Sequence, residues 1–156
     1  MPKKPAKAAD ADLILKLYDL RRESEMRKAR NYIGGEFWPR TFEDFQKVGM
    51  AFGTPQNAYY RQFSSYWEMA CTLVLTGALH EGLFFMNNGE MFMFFAKIKP
   101  FLKQIRETMG NPEYFGNMQK VIEGTAAGRE RLRRTEQMLV RYAAMRAQQA
   151  QKQGAS

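Results

Sequence analysis

The sequence predicts an all-α fold, a single bundle of five or six helices around one central apolar helix at about residues 55–79. Leu, Met and Ala dominate the aliphatic residues, whereas Val and Ile are scarce, which favours helix over strand. Apolar residues recur at spacings of three and four, and no segment alternates apolar and polar residues for the length of a strand. A chain of 156 residues suits one domain and can bury a core without disulfides.

The beginning of the chain predicts a flexible arm followed by a long helix. Residues 1–9 are mainly Lys, Pro and Ala and cannot bury enough apolar surface to fold, so we expect a disordered basic arm. Asp10 or Asp12 can cap a first helix that runs to about Ile33, where two glycines end it. The apolar stripe of this helix consists of Leu13, Ile14, Leu17, Tyr18 and Leu20.

Two threonines mark the next helix starts. Thr41 and Asp44 have the spacing of a capping box and predict a short helix that ends near Gly53. The threonine before Pro55 is a stronger signal, because proline is favoured at the first position of a helix. The helix from Pro55 to about Leu79 is apolar on nearly every face, which is typical of a helix in the middle of a bundle.

The segment that follows the central helix predicts a turn and then an interrupted helix. Residues 80–88 predict a turn, with one helical turn at about 82–86, and Asn88 can cap the helix that follows. Pro100 lies inside the pattern of that helix and should bend or divide it at Lys99.

The remainder of the chain predicts two further helices. Gly110 ends the preceding pattern, and Asn111 followed by proline predicts a short helix to about Glu123. A last, basic helix runs over about 125–149, and it completes a domain that we expect at 10–149. Residues 150–156 are rich in Gln, Gly and Ser and are expected to form a flexible tail.

The net charge of +8 lies at the two ends of the chain. Between Asp10 and Gly124, 14 basic residues balance 14 acidic ones, so the excess comes from the N-terminal arm and the last helix. Basic clusters of this kind are either a solvated surface or a contact for an anionic partner such as nucleic acid. The residues predicted for that contact are Lys3, Lys4, Lys7, Arg131, Arg134 and Arg141.

The segment from 82 to 96 is unusually rich in Phe and Met. In one interpretation these side chains fill an irregular core under the turn. In the other, part of the segment is exposed and binds another helix or a second copy of the chain, because Met and Phe surfaces adapt to apolar partners. The candidate residues are Phe84, Phe85, Met91, Phe92, Phe94 and Phe95.

Glu68 is a carboxylate on an otherwise apolar helix. Its burial costs several kcal/mol unless it is paired or protonated. We expect a structural ion pair with an arginine, and the alternative is a carboxylate at a ligand or proton site. The candidate partners are Arg21, Arg22, Arg27 and Arg30 of the first helix and Arg106 of a later one.

The sequence contains no complete catalytic or metal-binding set. His80 and Cys71 are the only residues of their kind, so a nucleophile with its base, a di-iron site and a zinc site all lack parts. His80 is expected at a turn or helix end, and Cys71 as a buried thiol. We therefore expect no enzyme, no cofactor and no metal.

No signal peptide or membrane span is predicted. The uncharged stretch at 69–79 is well short of the roughly 20 residues that a spanning helix needs. We expect a cytoplasmic protein.

One part of the sequence resembles small bacterial helical families known only as domains of unknown function. The similar segments are residues 63–79, Phe-Ser-Ser-Tyr-Trp-Glu-Met-Ala-Cys-Thr-Leu-Val-Leu-Thr-Gly-Ala-Leu, and residues 99–106, Lys-Pro-Phe-Leu-Lys-Gln-Ile-Arg. The resemblance implies a helical fold in which Glu68 faces Arg106 or an arginine of the first helix, and it implies no activity.

These observations favour a non-catalytic interaction protein, binding a protein partner or a second copy of itself through the Phe/Met surface or the last helix. The alternative is an accessory binder of nucleic acid or another anionic surface through the basic ends of the chain.

Overall fold

The computed structural model describes residues 5–154, and in that range it contains nine α-helices, one short 3-10 helix and no strand. The predicted all-α class is confirmed. The helices are α1 (Ala8–Arg22), α2 (Ser24–Gly35), α3 (Phe42–Gly49), α4 (Pro55–Leu75), α5 (Glu81–Asn87), α6 (Glu90–Ile98), α7 (Leu102–Met109), α8 (Gly116–Glu123) and α9 (Ala126–Gly154), with the 3-10 helix Lys99–Phe101 between α6 and α7.

Helix α4 lies at the centre, as its apolar sequence predicts. It packs against α2, α3 and α8, and buried side chains lie on most of its turns. Aromatic rings form the middle of the core, where the ring centroids of Phe63 and Phe94 are 5.4 Å apart and those of Phe94 and Phe115 are 5.6 Å apart. Aromatic pairs at such separations contribute stabilisation in addition to that from the apolar surface they bury.

The first predicted helix is divided in two at Glu23. This residue is extended (φ −56°, ψ 144°), and its carboxylate accepts a hydrogen bond from Met26 N at 3.0 Å, so that it caps α2. Helix α1 begins at Ala8, inside the predicted arm, because Lys7 N donates to the Asp10 carboxylate at 2.7 Å. Residues 1–4 of that arm lie outside the described residues.

Several of the predicted helix boundaries are confirmed. The Thr41 hydroxyl accepts from Asp44 N at 3.2 Å in a complete capping box, and the hydroxyl of Thr54 caps α4. The interruption at Pro100 is the 3-10 helix. Gly110 ends α7 in the left-handed conformation, with φ 61°.

Two helices end earlier than predicted, α3 at Gly49 rather than near Gly53 and α4 at Leu75 rather than near Leu79.

Two further boundaries differ from the predictions. Asn88 does not cap α6, because its side-chain amide donates to Phe84 O at 2.9 Å and so closes α5. The helix predicted to start at Pro112 starts at Gly116, after Phe115 adopts a positive φ of 57°.

The C-terminal helix is longer than predicted. It continues to Gly154, whereas we expected it to end at about 149 and to be followed by a flexible tail at 150–156. The physical reason is composition, because Ala, Gln, Lys and Arg are strong helix formers and nothing before residue 154 interrupts them. Within 5–154 no helix combines the length and apolar character that a bilayer crossing requires.

Candidate functional site

The Phe/Met-rich segment forms core. Of the six side chains predicted as a binding surface, Phe85 is half-buried and five are fully buried, namely Phe84, Met91, Phe92, Phe94 and Phe95. The prediction of a binding surface at these five residues is wrong, and their interpretation as core is confirmed. Their burial follows from rings that pack on α4, such as Phe84 against Trp67 at 6.3 Å. Met86 is the exception, with 85% of its surface exposed.

Glu68 caps a helix instead of forming an ion pair. Its two carboxylate oxygens accept hydrogen bonds from Asn117 N and Met118 N, each at 2.9 Å. These N–H groups belong to the first turn of α8, where donors lack acceptors within the helix and the helix dipole favours negative charge. The carboxylate therefore joins α4 to α8 without a cation.

The predicted pairing of that carboxylate with an arginine is wrong, because the candidate arginines have other environments. Arg106 donates from Nε to Tyr114 O at 3.0 Å and from Nη2 to a glutamine side chain at 2.8 Å. The guanidinium of Arg21 lies over the Trp67 ring, 5.6 Å from its centroid. Arg27 is exposed on α2.

The arginines of α9 do not form one uncommitted cationic face. Arg134 lies 3.2 Å from a carboxylate oxygen of Glu130. Arg131 is half-buried, with its guanidinium 4.7 Å from the Phe92 ring centroid, while Arg141 is exposed. Of the lysines predicted to join them, Lys7 is exposed and Lys3 and Lys4 lie outside the described residues.

An apolar groove runs between α5, α6 and the first half of α9. Its volume is about 480 Å³, and its lining includes Phe85, Met86, Phe92, Arg131, Arg134 and Met138. Arg131 lies within the lining and donates from Nη1 to Phe85 O. Burial, and to a smaller extent Arg134, lowers the pKa of Arg131. Because its remaining N–H groups have no carboxylate partner among residues 5–154, the groove combines apolar side chains with a cation able to bind an acceptor.

A second cavity, which we call the Lys97 cavity, lies between the loop after α2, helix α6 and the second half of α9. Its volume is about 520 Å³, and its lining consists of Trp38, Pro39, Arg40, Ala96, Lys97, Pro100, Glu136, Leu139, Val140, Ala143 and Arg146. Lys97 is only 6% exposed. Its Nζ donates to Ile33 O at 2.7 Å and lies 4.0 Å from the Trp38 ring centroid. Burial, with a contribution from Arg146, lowers the pKa of Lys97 to about 7.

Arg146 is the second cation beside the same indole. Its guanidinium carbon lies 5.0 Å from the Trp38 ring centroid, and its Nη1 donates to Gly35 O at 2.6 Å. Sequence reasoning missed this arrangement. The available signal was Lys97 itself, a single charge within an otherwise apolar run after Glu90.

His80 and Cys71 have structural environments. His80 is the N-cap of α5, and its Nδ1 accepts from Leu83 N at 3.1 Å, so its predicted position at a helix end is confirmed. Cys71 is fully buried, as predicted, and burial raises the pKa of its thiol. Within 5–154 no three side chains of the His, Cys, Asp and Glu types are grouped closely enough to hold a metal ion.

Comparison with known families identifies most of this structure. Residues 6–125 match the family described as Domain of unknown function (DUF4760). The chain belongs to the DUF4760 family. The resemblance to helical families of unknown function is thereby confirmed. No curated protein and no solved structure matches the chain.

The DUF4760 match includes α1 to α8 and ends at the residue before α9. Both openings combine side chains of the DUF4760 region with side chains of that last helix. In the groove, Phe85 and Phe92 face Arg131 and Met138, and in the Lys97 cavity Trp38 lies beneath Arg146. The helix that follows the family match therefore completes both sites.

Proposed function

We propose that this DUF4760 protein is a non-catalytic, self-associating helical protein, in which the groove between α5, α6 and α9 receives a helix from a second copy. The observation that carries the proposal is an apolar groove with Arg131 in its lining and two solvent-exposed methionines at its edges, Met86 and Met138. Flexible Met side chains adapt to an apolar partner, and grooves of this kind bind the apolar face of a helix.

The outer face of α1 supplies a complementary surface. Asp12, Leu15 and Asp19 lie at positions i, i+3 and i+7 and therefore share one face of the helix. All three are exposed, and Leu15 retains 62% of its surface. Carboxylates beside an exposed leucine match arginines beside exposed methionines in both charge and apolar character.

A reciprocal exchange satisfies both surfaces. If α1 of each copy occupies the groove of the other, one twofold axis relates two identical contacts, which is the commonest symmetry of soluble oligomers. Closure in this way leaves neither groove open.

The test compares two arginine substitutions on α9. Met138→Arg places a cation beside Arg131 and Arg134 and should weaken self-association at least about tenfold, because it adds like-charge repulsion to the loss of apolar contact. Met145→Arg is the control, since Met145 is also exposed on α9 but lies outside the groove. Sedimentation velocity over a concentration series measures both. A wild-type protein that stays monomeric at high micromolar concentration contradicts the proposal.

A charge exchange tests the identity of the occupant. Asp19→Arg should weaken association by opposing the groove arginines, and Arg134→Glu in the same chain should restore it. A protein partner other than a second copy would leave Asp19→Arg without effect on that partner's binding. Failure of the double variant to recover contradicts α1 as the occupant.

The alternative function, binding of nucleic acid or another anionic surface, has less support. Glu130 contacts both Arg133 and Arg134 and offsets part of their charge, and Arg131 is half-buried against Phe92. This part of α9 therefore lacks the continuous cationic face that several phosphate contacts need. A salt titration separates the two functions. Binding through several phosphate contacts weakens by orders of magnitude between about 50 and 200 mM salt, whereas contact through a mainly apolar groove changes far less.

We also propose a cytoplasmic location. It is supported by the single buried cysteine, which requires no oxidising compartment.

A further inference from the structure

The lining of the Lys97 cavity contains three basic side chains, Arg40, Lys97 and Arg146, and the last two lie beside the same indole. Among residues 5–154 neither Lys97 nor Arg146 has a carboxylate within salt-bridge distance. Glu136, the one acid in the lining, lies 3.3 Å from Lys99 and is thereby engaged elsewhere. Lys97 is buried and Arg146 is exposed; burial and the neighbouring guanidinium disfavour the charged form of Lys97, and an anion placed between the two side chains favours it.

The rest of the lining is mostly apolar. Pro39, Pro100, Leu139, Val140 and Ala143 surround the cations, and the volume lies within the roughly 300–1,000 Å³ of small-molecule sites. The Trp38 ring holds both cations in place, because Lys97 Nζ and the Arg146 guanidinium lie within 5.0 Å of its centroid. An anion with an apolar body fits this arrangement better than a small hydrophilic ion.

We propose that the Lys97 cavity binds a small organic acid, with its carboxylate at Lys97 and Arg146 and its hydrocarbon part against Pro100, Leu139 and Ala143. This site is separate from the groove, and the proposal does not depend on self-association. Lys97 retains N–H donors beyond the one given to Ile33 O, and the Arg146 guanidinium donates only from Nη1 to Gly35 O, so both have donors for a carboxylate.

Octanoate is the probe, and Trp38 is the reporter. Octanoate binding should change the fluorescence of Trp38, and Trp38→Phe should remove that signal, since the other tryptophan, Trp67, is fully buried in the core. The neutral octanamide and inorganic phosphate are tested at the same ionic strength. Octanoate should bind at least about tenfold more tightly than either, because only octanoate supplies both the charge and the apolar body.

Three substitutions test the residues. Lys97→Met keeps the length of the side chain without its charge, and Arg146→Gln removes the second cation from a side chain that is largely exposed, so that folding is retained. Each should weaken octanoate binding by at least about tenfold, the equivalent of one charged hydrogen bond. Arg141→Gln, on the same helix outside the cavity, should change nothing.

Three results would overturn the proposal. These are equal affinity for octanoate and octanamide, equal affinity for octanoate and phosphate, and equal weakening by Arg141→Gln and Arg146→Gln. Calorimetry of the folded Arg146→Gln protein measures the octanoate affinity independently of the fluorescence signal.

Discussion

Glu68 joins two helices that are far apart in the sequence. Its carboxylate accepts from two consecutive backbone N–H groups at the start of α8, so a side chain from the centre of α4 fixes where that short helix begins. The N–H groups at a helix start otherwise need water or a capping side chain of their own. Phe115, the residue at the N-cap position of α8, has no side-chain acceptor, which leaves Glu68 to serve.

We expect Glu68→Ala to lower the free energy of unfolding by about 1–2 kcal/mol, the usual cost of losing an N-cap acceptor. Glu68→Gln should cost less, because the amide oxygen still accepts one of the two hydrogen bonds. Urea denaturation measures both. The control is Glu107→Ala, an exposed residue 3.9 Å from Lys103, which should stay within about 0.5 kcal/mol of wild type. A larger cost for Gln than for Ala would show that the carboxylate has a different role.

The sequence predicts that the Glu68 carboxylate has a partner, but it does not predict which groups form that partner. Burial of a carboxylate predicts a partner, and arginines were the only partners that a sequence displays. Backbone N–H groups carry no sequence signature, so their role emerges only once α8 lies beside α4. Lys97 shows the same limit, because its partners are the Ile33 carbonyl and the Trp38 ring rather than an acid.

Helix ends depend on backbone conformation, and two glycines show the contrast. Gly110 has a φ of 61° at the end of α7. This left-handed conformation is energetically unfavourable for residues that have a Cβ. Gly34 lies in the last turn of α2 without a positive φ, and a Cβ added there meets nothing within 4 Å.

We expect Gly110→Ala to lower the free energy of unfolding by about 1 kcal/mol through strain in the left-handed conformation. Gly34→Ala should raise it by about 0.5 kcal/mol, because alanine loses less entropy on entering a helix. Thermal unfolding of the two variants should show changes of opposite sign in the free energy of unfolding. Changes of the same sign would contradict the role assigned to backbone conformation at Gly110 and Gly34.

Helix boundaries are predicted correctly where a side chain caps the helix or a proline ring interrupts it. Thr41 with Asp44, Thr54 with Pro55, and Pro100 each act within a few residues, so local sequence is sufficient. The division at Glu23 was missed because glutamate is an ordinary helix residue, and here its carboxylate caps α2. Phe115 was missed because a buried aromatic residue rarely adopts a positive φ.

At the scale of the whole molecule, Lys97 makes stability depend on pH. Its pKa is about 7 in the folded protein and near 10.5 in an unfolded chain. The unfolded chain therefore binds the proton more tightly between those values. It follows that the free energy of unfolding rises with pH, by up to about 1.4 kcal/mol per pH unit.

We expect a gain of about 1.5 kcal/mol between about pH 7 and pH 8.5 in wild type, and its absence in Lys97→Met. Chemical denaturation across this range measures the difference between the two proteins, in which the contributions of other groups cancel. Parallel pH curves for wild type and Lys97→Met would contradict the assignment.

The sequence predicts where the net charge lies along the chain but not where it lies in space. Most of the excess lies in the last helix, yet α9 packs on the neutral body and several of its arginines make contacts there. Arg131 lies over Phe92 and Arg146 lies over Trp38. Composition cannot reveal that arginines are covering aromatic rings, since this depends on which face of α9 meets the bundle.

Helix α9 lines both openings, with Met138 in the groove and Arg146 in the Lys97 cavity. We therefore expect binding at one opening to affect binding at the other, because both depend on where this helix lies. Linked equilibria are reciprocal, so whatever factor the small molecule adds to pairing of the chains, pairing returns to the small molecule. The last helix is thus the element that would link binding of the small molecule to self-association.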